Sequence, residues 1–175
     1  MDDVLGRSFS YMLLIFGFFF LVPLLLFANA DISNRSYVGQ ALNEFVGEAR
    51  ESGEITQEGY QRLMNKLIAT GEGYQISAEH RSKVTVYDGT EYQSSYRSYN
   101  YNDILSVMEG YGEDMEPGTA DDTGKGSYPM KRGDYFTVTV KSNGPTLGSR
   151  FLAAILPGHQ GLKLVCTSGG IVGGM

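Results

Sequence analysis

Tryptophan is absent from the 175 residues, cysteine occurs once and histidine twice. The single thiol, Cys166, excludes an internal disulfide and a cysteine metal cluster, so the fold must stand on its core alone. His80 and His159 lie far apart in sequence, and neither has a Cys, Asp or Glu at a ligand spacing such as HExxH. Basic residues are outnumbered, 14 Lys and Arg against 20 Asp and Glu, for a net charge of -6. An acidic surface repels phosphate, which argues against nucleic acid as a partner and against tight docking on anionic headgroups outside any apolar segment. No GxSxG, no Cys–His pairing and no spaced carboxylate dyad stands out. The expectation is a protein that is not an enzyme, with no cofactor and no small-molecule substrate.

Charge is missing altogether from residues 9–30, FSYMLLIFGFFFLVPLLLFANA. A helix rises about 1.5 Å per residue, so roughly 20 apolar residues cross a hydrocarbon core of about 30 Å. This run reads as a membrane helix, with Phe9, Leu14, Phe18, Pro23 and Leu26 along its stem. Pro23 would break a soluble helix, but membrane helices tolerate a proline where the freed backbone groups find new partners. The expected organisation is a leader (1–8), a transmembrane helix (9–30), an amphipathic helical stem (31–71) and an α+β head (72–175).

Three fates of the first 30 residues compete. A cleavable signal peptide would use the small-x-small site Ala28-Asn29-Ala30 before Asp31, but signal cores run to about 7–15 residues behind a basic leader. An uncleaved anchor suits the length better. A pilin-type leader would be clipped between Gly6 and Arg7 and leave the apolar helix in place. An anchor retained in one of these forms is expected. Only Arg7 precedes the run and Arg35 and Arg50 follow it, so the positive-inside rule decides little. The C-terminal domain is expected outside the membrane, at the cell surface.

Beyond the run, Val38, Ala41, Leu42, Phe45, Val46 and Ala49 repeat at three and four, predicting a helix from about Ser33 that ends at Gly53, continuous with the span or separate. Thr56 can cap a second helix with Tyr60, Leu63, Met64, Leu67 and Ile68 on its face and Gly71 at its end. Period-two alternation predicts strands over 74–79 and 83–86, and His80 shares the parity of Ile76 and Ala78, as a structural histidine would. A short helix is expected from Asn102 or Asp103, and the best strand runs from Tyr135 to Val140 behind the turn Lys131-Arg132-Gly133-Asp134. Pro145 suits the first position of a helix bearing Leu147, Phe151, Leu152, Ile155 and Leu156, and Leu162, Leu164 and Cys166 alternate through a last strand. The fold class is α+β: one N-terminal transmembrane helix, a small helix pair and an antiparallel sheet.

Four further stretches bear on function. Residues 118–127 resemble a phosphate loop but have the wrong glycine spacing, and Gly126 follows Lys125 where a Ser or Thr should hold magnesium. Likewise the terminal GGIVGG has no helix after it and is not a dinucleotide site. Glu113, Asp114, Glu116, Asp121 and Asp122 crowd one Gly-rich loop and are weak calcium candidates, since their spacing matches no EF-hand. Tyr87, Tyr92, Tyr96, Tyr99 and Tyr101 suggest a contact surface, weighed against ordinary strand-edge and loop tyrosines.

Residues 53–83 (GEITQEGYQRLMNKLIATGEGYQISAEHRSK) and the tail from YPMKRGDYFTVTVKSNGPTLGSRFL to TSGGIV together resemble membrane-anchored proteins of Tad (tight adherence, type IVc-like) pilus systems of Gram-positive bacteria, similar to TadE-like pseudopilins. The quoted motifs, Ile55-Thr56, Ala69-Thr70-Gly71 and Lys131-Arg132-Gly133-Asp134-Tyr135-Phe136, are structural ones. The resemblance implies a minor pilin or assembly component, with a hydrophobic helix in membrane or filament core and a pilin-like head outside. Its partners would be the membrane and pilus or secretion-apparatus subunits, copies of itself among them. The chain departs from the pilin pattern in having no Glu early in the helix.

Overall fold

The uncharged run and the amphipathic repeat after it merge into one helix, α1 (Asp2–Ser52), with Pro23 inside it. Proline has no N–H to return to the preceding turn, so the helix passes that point with one backbone bond fewer. The computed structural model describes residues 2–87, 89, 91–109, 126–156, 158 and 161–173, with side chains from residue 6 onward. The chain divides into two units, Met1–Arg35 with Gly144–Leu164 and Ser36–Asn143 with Val165–Met175, and the first boundary falls inside α1.

In the larger unit, α1 ends as expected at Gly53, whose φ of 76° is open to glycine and whose N–H reaches Ala49 O at 3.1 Å. Strand β1 (Glu54–Thr56) leads into helix α2 (Gln57–Ile68), where Thr56 Oγ1 accepts the Gly59 N–H at 3.1 Å. There follow β2 (Tyr74–Tyr87), β3 (Tyr92–Asn100), α3 (Tyr101–Met108), β4 (Ser127–Pro129) and β5 (Tyr135–Ser142), and β6 (Val165–Ile171) closes the unit. The sheet has the order β3-β2-β5-β6 with every pairing antiparallel, and β1 pairs β4 in a separate two-stranded ladder. The order of elements and the antiparallel sheet agree with the α+β expectation.

Alternation on β5 buries Phe136, Val138 and Val140. Val38, Leu42, Phe45 and Val46 of α1, Leu63 and Leu67 of α2, and Ile104 and Met108 of α3 are buried with them. The Phe45 and Phe136 rings meet edge to face at 6.4 Å. A void of about 20 Å³ among Phe45, Leu63, Ile104 and Phe136 is about the size of one water and has an apolar lining, too small for a substrate.

Two local expectations are corrected, and one stretch to which the sequence assigned no element proves to be a strand. The two strands predicted over 74–86 are one 14-residue strand, because the inward positions between them are filled by His80 and Ser82 rather than apolar residues. The polar stretch after Gly89 is strand β3, formed by pairing with β2 from Tyr87↔Tyr92 to Glu79↔Asn100 and not by any pattern of its own. The last strand begins at Val165, after Leu162 and Leu164, and runs through Gly169-Gly170. At Gly170 a Cβ would stand 2.6 Å from the Arg50 guanidinium carbon, so a side chain there would displace the arginine, whose Nε donates to Ile171 O at 2.9 Å.

The smaller unit contains the N-terminal part of α1 and helix α4 (Leu147–Ile155). Thr146 takes the capping position, so Pro145 lies before the cap, two residues ahead of the first residue of the helix it was expected to begin. Phe151 of α4 meets Phe27 of α1 at 5.3 Å between ring centroids, and the Gly148 N–H donates to Asp31 Oδ2 at 3.0 Å.

Candidate functional site

One described helix is long and apolar enough to cross a membrane, and it is the N-terminal one. Phe9, Leu14 and Phe18 are exposed, Leu14 at 70 % and Phe19 beside them at 72 %, and Leu26 is exposed as well. A stripe of such width on a water-facing helix would leave far more apolar surface unburied than a soluble domain exposes. Both candidate processing positions, Gly6-Arg7 and Ala30-Asp31, lie within α1, and Gly6 O accepts a back-bond from Ser10 Oγ at 3.0 Å.

The second feature is a buried polar cluster in the larger unit. His80 and Asp134 are each only 3 % exposed. Asp134 is delivered by the turn after Lys131, closed by the Asp134 N–H on Lys131 O at 3.0 Å and allowed by Gly133 at φ 90°. Its Oδ2 accepts from His80 Nε2 at 2.8 Å and from the Lys131 N–H at 2.9 Å, and its Oδ1 accepts from Ser82 Oγ at 3.0 Å. His80 Nδ1 lies 2.8 Å from the Tyr128 hydroxyl, which donates to it when the ring is neutral. Burial, then the neighbouring Tyr99 and the Asp134 carboxylate, push the Tyr128 hydroxyl far above the ordinary tyrosine value, so it stays protonated. The Tyr99 ring lies flat on His80 at 5.5 Å.

Ser, His and Asp in contact invite comparison with a nucleophile triad, but the order of contacts is wrong for one. Ser82 donates to the carboxylate and not to the imidazole, and both imidazole nitrogens are occupied. Every strong acceptor and donor in the cluster has a partner, which is how polar groups survive burial. The cluster therefore locks the KRGD turn, β2 and β4 together, and it gives the motif quoted in the sequence a structural reason. Sequence reasoning placed His80 correctly on the inward face but missed Asp134, Ser82 and Tyr128. The parity of His80 with Ile76 was the available signal; its partners lie about fifty residues on, at 128 and 134, and come together through the register His80↔Phe136.

The third feature is the far end of the β2–β3 hairpin. Pairing of β2 with β5 ends at Arg81↔Tyr135, while pairing with β3 continues to Tyr87↔Tyr92. The outer half is thus a two-stranded ribbon, and it exposes Val84, Val86, Tyr87, Tyr92 (77 %) and Tyr96. The five tyrosines singled out in the sequence do not form one surface. Tyr87 and Tyr92 pair across the strands at 4.9 Å and Tyr96 is exposed, whereas Tyr99 covers His80 and the Tyr101 hydroxyl bonds that of Tyr60.

Glu113, Asp114, Glu116, Asp121 and Asp122, His159, and residues 118–125 of the phosphate-loop-like stretch lie outside the described residues. Among the described residues no group of three or more His, Cys, Asp or Glu side chains is placed to hold a metal ion. Compared with known proteins, the chain matches no family, no curated protein and no solved structure.

Proposed function

We propose that the protein is a non-enzymatic, membrane-anchored, pilin-like subunit or assembly component of a bacterial Tad or type IV-like pilus or secretion apparatus, with its α+β domain outside the membrane. The observation that carries this reading is the character of α1. Within a single helix, an uncharged, exposed stem over residues 9–30 is followed by an amphipathic stretch whose Val38, Leu42, Phe45 and Val46 are buried in a domain with a four-stranded antiparallel sheet. A stem of this kind can bury itself in lipid or among the stems of other subunits, while the head supplies the exposed surface. The partners are then the membrane and other subunits of the apparatus, copies of this chain included.

The intact mass and N-terminal residue of the protein recovered from cells test the reading. A chain that retains residues 9–30 supports a membrane or filament stem, and a start at Arg7 supports clipping of a pilin-type leader. A chain starting at Asp31 would be a freely secreted domain, and the pilin reading would fall. A second reading, a secreted or anchored extracytoplasmic binding module without a filament, is favoured by the exposed ribbon tyrosines: loss of partner capture in Tyr92→Ala and Tyr96→Ala, with assembly intact, would select it.

A further inference from the structure

We infer that α4 is an interfacial helix: a short amphipathic segment that lies in the headgroup region of an anionic bilayer, beside the point where α1 leaves the hydrocarbon. The inference rests on the reading of residues 9–30 as a membrane span and adds a second membrane contact to it. Two contacts fix the level of α4 on α1. Phe151 meets Phe27, in the last turn of the uncharged run, at 5.3 Å, and the Gly148 N–H donates to Asp31, the first charged residue after that run, at 3.0 Å. The approach is close, since a Cβ on Gly148 would stand 2.7 Å from Asp31 Oδ2 and 3.5 Å from Ala28 N. Phe27 and Asp31 are four residues apart, about 6 Å along the axis. If the run spans the bilayer, α4 is held within that distance of the hydrocarbon boundary, the depth at which interfacial helices bury their apolar face.

The surface of α4 suits that place. Leu147, Ile155 and Leu156 are exposed, Leu156 at 53 %, and Leu162, which accepts the Thr146 N–H on its carbonyl, is 69 % exposed. Large apolar side chains exposed to this degree fit an acyl boundary better than water. Charge points the same way. The chain as a whole carries -6, yet residues 144–164 contain no Asp or Glu and hold Arg150 and Lys163. An acid-free basic segment in an acidic protein, next to an apolar span, is complementary to anionic headgroups. The acidity of the whole chain, read from composition as unfavourable to such docking, does not apply to this segment.

The absence of tryptophan makes the test direct, because any introduced indole is the only one. The full chain carrying Leu156→Trp, and separately Leu162→Trp or Phe18→Trp, is reconstituted into phosphatidylcholine–phosphatidylglycerol vesicles brominated at the shallow or the deep end of the acyl chains. The expected result is blue-shifted emission from Leu156→Trp and Leu162→Trp, quenched more by shallow than by deep bromines, with Phe18→Trp quenched by deep bromines. Deep quenching of Phe18→Trp with no quenching at 156 and 162 overturns the interfacial helix and leaves the anchor standing. A blue shift at 156 or 162 without bromine quenching would mean that protein, such as a second copy, covers the face, and it also overturns the proposal. If Phe18→Trp escapes quenching, the span itself is refuted and the interfacial helix falls with it.

Discussion

The two parts of α1 have the same backbone and similar apolar residues but opposite surroundings. Before Asp31 most of the large side chains are exposed, and from Val38 onward the inward ones are covered, Leu42 to 1 % exposure. What separates them is the arrangement of polar residues. Over residues 9–30 the first part has no charge and no polar face, so no orientation in water would hide it. The second part interleaves Gln40, Asn43, Glu44, Glu48 and Arg50 with its apolar repeat, and one face can be buried while the other is solvated. Secondary structure alone therefore says little about a helix's role; the width of its apolar stripe says which solvent it was selected for.

The largest effect expected from breaking this contrast comes from placing charge in the first part. Leu14→Lys with Phe18→Lys costs about 2.5–3.5 kcal/mol per lysine at the centre of a span. The protein should leave the membrane fraction on alkaline extraction and fail to assemble at the surface, while the melting transition of the Ser36–Asn143 unit stays where it was. Assembly at the wild-type level would sink the pilin-like reading.

The reciprocal change acts on the second part. Leu42→Ala removes a fully buried side chain from the core and should cost about 2–5 kcal/mol. In detergent-solubilised full chain the denaturant midpoint should fall accordingly, with membrane retention unchanged. Loss of retention together with stability would show that the two parts do not act separately.

The smallest effect is electrostatic and sits on the solvated face of the same part. Glu44 accepts from Lys66 at 2.6 Å, and that hydrogen bond, followed by the lysine charge, lowers its carboxyl below the ordinary value of 4.5. A carboxyl depressed on folding stabilises above its unfolded value, and the contribution disappears as pH falls through the folded value. Because the group is exposed, solvent screens most of it. Glu44→Gln should lower the melting temperature slightly at pH 7, and the two proteins should converge in acid; a gap that widens in acid would contradict the assignment.

The legible features were those with local causes. The uncharged run, the repeat at three and four from Val38, the Thr56 cap, the Gly53 and Gly71 stops and the alternation on β5 depend on neighbours in sequence, and each is found in place. The illegible ones depended on distant partners. Strand β3 is polar throughout and becomes a strand only by pairing with β2, as an edge strand without an apolar face must. Ser82 and His80 interrupt the hydrophobic alternation because Asp134 and Tyr128 make polar residues acceptable there. The candidate surfaces followed the same division: the stem could be read directly, whereas the tyrosine run had to be folded before it separated into an exposed ribbon and an interior pair of contacts.

By itself, then, the sequence determined that an uncharged helix leads an acidic α+β chain, because hydropathy and period are properties of contiguous residues. Only the tertiary structure decided that Asp134 is the hub of a buried network and that α4 is pinned to α1 between Phe27 and Asp31. Those contacts join residues fifty to more than a hundred positions apart, and no local pattern encodes the distance between them.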